Sequence, residues 1–92
     1  MPAPLQWPTK DPDERVDFGV DWSARLVGDT IVSSLWIVPD GIVGSEESHA
    51  DRMTTIWLEG GTPRLTYELL NRVETSAGRI MDQTIRLPVA KR

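Results

Sequence analysis

The chain has 92 residues, a formal net charge of −4 at pH 7, no cysteine and one histidine. That length holds one domain, which buries about 60–65% of its unfolded surface and leaves little room for an enclosed active site. The acidic balance argues against a nucleic-acid partner, whose phosphates demand a basic face. The missing cysteines exclude disulfides and thiolate metal centres, and no run approaches the ~20 apolar residues of a membrane span.

Residues 1–9 carry three of the seven prolines, Pro2, Pro4 and Pro8. They read as an extended arm ahead of a single domain over residues 10–92. The opening MPAPLQWPTK has no apolar stretch of the kind a secretory leader carries, so the expectation is a protein used without export by a leader of its own. Trp7 sits on this arm, where no core is expected to hold it.

Next comes the acidic stretch KDPDERVDFGVDW. Asp11 at a cap position, Pro12 at the first helical position and acids after it form a capping-box arrangement. It predicts one helical or 3₁₀ turn over Asp11–Glu14 that delivers the chain into a strand. The rival reading is a calcium site using Asp11, Asp13, Glu14 and Asp17. Calcium wants several carboxylates, but no glycine-bearing ligand loop is present, and no metal or cofactor is expected.

VDFGVDW alternates with period two, placing Val16, Phe18, Val20 and Trp22 on a core face. After a Gly28-Asp29 turn, TIVSSLWIVP is rich in β-branched residues and ends at Pro39-Asp40-Gly41. It is apolar on both faces, so pattern alone leaves its register open. Ile31 and Trp36 are out of phase by one, and a bulge near Ser33-Ser34 would turn both inward. IVGSEESHADR reads as one short irregular strand followed by a polar loop. MTTIWLEGG is a strand with Ile56 and Leu58 inward, which leaves Met53 and Trp57 on the outer face. RLTYELLNRVET puts Leu65, Tyr67, Leu69 and Val73 in phase, SAGR makes a hairpin turn, and IMDQTIRLPV pairs back as the last strand.

Six or seven short strands separated by turns predict an all-β, immunoglobulin-like (fibronectin type III-like) antiparallel sandwich of about seven strands. LEGGTPRLTY resembles the crossing between sheets in those folds. Tyr67 would be the corner tyrosine, its ring in the core and its hydroxyl bonded to backbone.

No constellation for catalysis emerges. His49 is alone, in what reads as a polar loop, with no second histidine to complete a metal site or a triad. GIVG and EGGTP lack the lysine and the strand-to-helix context of a phosphate loop. The expectation is that the protein is not an enzyme. The distinctive residues are the four tryptophans. Trp22 and Trp36 are expected in the core. Trp7 and Trp57, with Met53 on the same face as the latter, are the candidates for contact with a partner, as exposed tryptophans anchor interfaces.

The ordered series KDPDE, DFGVDW, GDTI, WIVPDG, TIWLEGGT, TY and TSAGR, over residues 10–88, resembles the small tailed-phage structural proteins of the fiber–tail adaptor or tail-associated Ig-like family. Pro63-Arg64 after the glycine turn and the apolar Leu70 on the solvent face depart from what is expected there. The resemblance implies a virion structural protein of a tailed bacteriophage or prophage, located in the tail region and in host cytoplasm during assembly. It would bridge tail or fiber proteins through surface contacts, with pairing to a second copy left open. The other reading is a carbohydrate-binding sandwich that uses exposed tryptophans as sugar platforms. A third is a fibronectin-like spacer cut from a longer chain.

Overall fold

The computed structural model describes residues 4–92. Seven strands follow in order: β1 (Leu5–Gln6), β2 (Val16–Asp21), β3 (Ile31–Ile37), β4 (Ile42–His49), β5 (Met53–Gly60), β6 (Thr66–Thr75) and β7 (Ile80–Pro88). One helical turn, α1 (Ser23–Leu26), joins β2 to β3. The strands form two sheets, one ordered β1-β7-β6-β3 and the other β2-β5-β4. This is the all-β sandwich that the turn spacing predicts.

Period two decides what each sheet buries. In β5, Thr54, Ile56 and Leu58 are buried, and Met53 and Glu59 are exposed. In β6, Tyr67, Leu69, Asn71, Val73 and Thr75 point inward while Glu68, Arg72 and Glu74 face water. Leu65, expected in that series, is exposed because it precedes the strand and closes a turn, its N–H donating to Thr62 O. In β3, Ile31 pairs with Thr75 and Ser33 with Glu74, so Val32 is the extra residue of a bulge. The bulge shifts the phase by one and lets both Ile31 and Trp36 enter the core; it lies at Val32, just ahead of the Ser33-Ser34 position expected for it.

A polar network lies inside this core. Asn71 is fully buried. Its Oδ1 accepts from the Trp22 indole N–H at 3.0 Å and from the Thr54 hydroxyl at 2.7 Å. Its Nδ2 donates to Ser34 Oγ at 3.0 Å and to Leu35 O at 3.1 Å. All four hydrogen-bonding valences of the amide are met, which is the condition under which a buried amide is tolerated. The network ties β3, β5 and β6 to the segment that leads into α1.

Two further anchors fix the ends of the sandwich. The Tyr67 hydroxyl accepts from Thr62 N at 2.7 Å and the ring is buried, as expected of a corner tyrosine. Its ring packs on Gly41, whose φ of +97° disfavours a side chain and where an added Cβ would lie 3.2 Å from the Tyr67 side chain. At the other end, Asp29 Oδ1 accepts from Thr30 N at 2.9 Å and Ala77 N at 3.1 Å, and from the Ser76 hydroxyl. It thus joins the β2–β3 connection to the β6–β7 turn.

The amino-terminal segment differs from its expected form. Residues 1–3 of the anticipated arm lie outside the described residues. From Leu5 onward the chain is part of the sandwich: Leu5 pairs with Ile85 and Gln6 with Arg86, parallel to β7, and Lys10 bridges Val89. Trp7 is buried rather than free. Its indole stacks on Phe18, with centroids 4.7 Å apart and planes at 17°, and donates to Gly19 O at 3.1 Å. Pro4 and Pro8 flank this strand instead of preventing it, because an edge strand loses no inner ladder bond to a proline.

β4 also departs from expectation. It runs eight residues to His49, with a register shift between Ser45 and Ser48, where a short strand and a polar loop were predicted. His49 is therefore an exposed strand residue, its Nδ1 3.3 Å from Ala50 O.

Candidate functional site

Two clusters carry the polar and aromatic groups the sequence singles out. The first is the acidic opening. Asp11 O accepts from Glu14 N at 3.1 Å, which closes a single turn rather than a helix. The reciprocal capping bonds are present: Asp11 Oδ1 accepts from Asp13 N at 2.9 Å, and Glu14 Oε1 from Asp11 N at 2.8 Å. The same acids hold the basic residues after β7. Arg92 N donates to Asp11 Oδ2 at 2.9 Å, the Arg92 guanidinium reaches Glu14 at 3.1 Å, and Lys91 pairs with Asp13. The backbone N–H groups of Arg92 and Asp13 hold the Asp11 carboxyl below its ordinary range. These acids form a clasp. Among the described residues no group of histidine or carboxylate side chains is arranged to hold a metal ion.

Lys10, next to this turn, is almost completely buried. Its ammonium donates to Asp11 O and Gly60 O, each at 2.8 Å. Burial lowers its pKa, and the neighbouring Glu14 and Asp11 oppose that shift. A shallow cavity of about 270 Å³ lies beside it, between Pro8, Lys10, Glu14, Phe18 and Arg92. Of its polar walls, Glu14 and Arg92 are bonded to each other through the clasp.

The second cluster is the outer face of the β2-β5-β4 sheet. The inward placement of Ile56 and Leu58 sends Trp57 outward, where it is half-buried between its cross-strand neighbours Asp17 and Ser45. The guanidinium of Arg15 lies over its ring, 4.5 Å from the centroid. Two carboxylates hold that guanidinium: Glu46 Oε2 accepts from Nη2 at 2.8 Å and Glu59 Oε1 from Nε at 3.2 Å. The Glu46 contact raises the Arg15 pKa further above its ordinary value. Glu46 has a φ of +50° in the β4 bulge, a left-handed conformation uncommon for a residue with a side chain. The bulge is what brings its carboxylate to Arg15.

Around this centre, Met53 is 41% and Val43 63% exposed. Asp17, Asp21, Glu46 and Glu59 make the rim acidic. A large aromatic side chain, a flexible methionine and a guanidinium locked in place are the groups that anchor protein interfaces. The contacts of Arg15 with Glu46, Glu59 and the Trp57 ring restrict the side-chain freedom that binding would otherwise cost.

Of the residues singled out from sequence, the structure brings Met53 and Trp57 to one face and sends Trp7 into the core. Trp7 in this position has no surface to offer a partner. Arg15 and Glu46 were missed. Neither stands in a pattern with Trp57, and only the β2–β5 and β4–β5 registers bring them together.

The family model described as Gp77, podophage GP4 fiber-tail adaptor protein gp77, matches residues 10–88 of the chain. The solution structure of the PKD domain from KIAA 1837 protein is similar, with a TM-score of 0.53 and 21% sequence identity over 92% of this chain and 82% of that one. That likeness concerns the fold alone and agrees with an immunoglobulin-like sandwich. No curated protein matches the chain.

Proposed function

The chain belongs to the podophage GP4 fiber-tail adaptor family, and on that premise we propose that it is a non-enzymatic structural part of a tailed-phage virion. It sits in the tail region, after assembly in host cytoplasm, and joins tail and fiber proteins by surface contact. The observation that carries the choice of surface is the outward Trp57, with Arg15 over its ring and the exposed Met53 farther along the same face. Such a patch suits a partner that offers an apolar pocket with a basic rim to meet Asp17, Asp21 and Glu59.

A sugar-binding module would need tryptophan faces open to solvent. Trp7, Trp22 and Trp36 are buried, and a guanidinium covers Trp57. Those observations favour the protein-binding reading.

The test is reconstitution with purified tail and fiber proteins of the same phage. The wild-type chain should bind one of them, and Trp57→Ala and Met53→Ala should weaken that binding while remaining folded. Unaltered binding by both variants would move the contact to another surface, and binding on a glycan array would revive the sugar reading.

A further inference from the structure

Four strands end the two sheets: β1 and β3 in one, β2 and β4 in the other. An open strand edge invites pairing with another chain, and proteins guard such edges with charge, proline, bulges or cover. Three of these four are guarded. β1 has two residues and lies between Pro4 and Pro8. β2 carries Asp17 and Asp21, and its Gly19 carbonyl is taken by the Trp7 indole. β4 carries Glu46 and Glu47 and a register shift.

β3 has only a bulge at its first residues. No charged residue occurs between Asp29 and Asp40. Val32, Leu35 and Ile37 are 52%, 52% and 53% exposed. The Ile31 N–H donates to Asp51 O at 2.9 Å, so the β4–β5 loop covers only the start of the edge. From Val32 onward β3 pairs with β6 alone among the described residues. On the outer face, Ile37 stands opposite the half-buried Leu70, which widens the apolar strip beyond the edge itself.

We infer that two copies of the chain pair through β3, antiparallel and about a two-fold axis, so that two four-stranded sheets become one. The occupant has to offer an extended, uncharged edge of similar length, and the chain itself carries one. A two-fold axis sets each β3 against the same residues of the other, so every contact is made twice. Any other edge of a second copy would bring acids or a two-residue strand against it. An uncharged seam also lets two chains of net charge −4 meet without like charges opposed across strands. A seven-residue seam is small, so the pairing is reversible and of modest affinity. This surface belongs to the sheet opposite Trp57 and does not depend on the partner assigned there.

The experiment is sedimentation equilibrium of the full chain across a wide concentration range, with Leu35→Lys, Ile37→Lys, Thr84→Lys and Trp57→Ala beside it. The wild type should show a monomer–dimer equilibrium. A lysine at either edge position should weaken it by at least about tenfold, as charge at an edge blocks strand addition. Thr84→Lys, on the outer face of the same sheet but away from the edge, and Trp57→Ala should leave it unchanged. Hydrogen exchange of the wild type gives a readout independent of how the variants fold: the alternate amides of residues 33–37 that point away from β6 should gain protection as concentration rises. A wild type that is monomeric throughout, a dimer that survives both edge lysines, or equal loss with Thr84→Lys would overturn the proposal.

Discussion

The Trp22 indole N–H donates to Asn71 Oδ1 at 3.0 Å in the middle of the sandwich, so the largest fully buried side chain among the described residues depends on a buried amide for the hydrogen bond of its N–H. Asn71→Leu would leave that N–H and the Thr54 hydroxyl without their acceptor, and Leu35 O without its Nδ2 donor. Each orphaned group costs about 1–3 kcal/mol, and the expected loss is about 3–5 kcal/mol. Urea denaturation measures it, and a loss under about 1 kcal/mol would mean that water replaces the amide.

Trp7→Ala should destabilise the monomer strongly. The indole stacks on Phe18 and lies 5.8 Å from the Trp36 ring, and its removal opens a cavity between the two sheets. Loss of a buried tryptophan costs about 3–5 kcal/mol, which should lower the melting temperature by at least about 10 °C. A thermal scan that shows little change would return Trp7 to a free arm.

Trp57→Ala should separate binding from folding. The ring is half-buried, and what it gives up within the monomer is the Arg15 contact, so stability should change by about 1 kcal/mol or less. Affinity for the tail or fiber partner should fall by about 2 kcal/mol or more, the size of an interface hot spot. Calorimetric titration beside a denaturation curve gives both numbers.

Tyr67→Phe removes the acceptor for Thr62 N and keeps the ring on Gly41. The expected loss is about 1 kcal/mol, and up to about 3 if the amide finds no water. An unchanged denaturation midpoint would show that the hydroxyl adds nothing at this corner.

Stability should fall in acid through Asp29. The hydroxyls of Ser76 and Thr75 and the N–H groups of Thr30 and Ala77 hold its carboxyl at about 2, below the ordinary 3.8. The folded state therefore binds this proton more weakly than the unfolded chain does. The contribution is complete above the ordinary value and is lost as pH falls from 3.8 through about 2. Asp29→Asn should flatten the denaturation midpoint against pH over that window. Some slope should remain, because Asp11, Asp21 and Asp82 are lowered as well.

Alternation made the strands legible wherever one face is buried. Ile56 and Leu58 set the register of β5 and, with it, the outward Trp57. The phase conflict between Ile31 and Trp36 pointed to a bulge, though not to its position at Val32. β1 was illegible because two residues have no period, and its partner lies some eighty residues away. Asn71 was in phase with Tyr67, Leu69 and Val73. A polar residue on an apolar stripe was the one available sign of the buried network. Leu70, which looked misplaced on the solvent face, packs across from Ile37. Arg15, Glu46 and Glu59 meet over Trp57 only through strand registers, so sequence offered no route to them.

The parallel pairing of β1 with β7 has a mechanical consequence. Tension applied through the segments on either side of this pair pulls the two strands along their own length, in opposite directions. The bonds Trp7 N–H to Arg86 O, Lys10 N–H to Pro88 O and Ala90 N–H to Lys10 O then carry the load together in shear, rather than opening one after another as a peeled hairpin does. The stacked Trp7 and the buried Lys10 would have to slide with them. A component that transmits force between a fiber and a tail would be strongest along this axis.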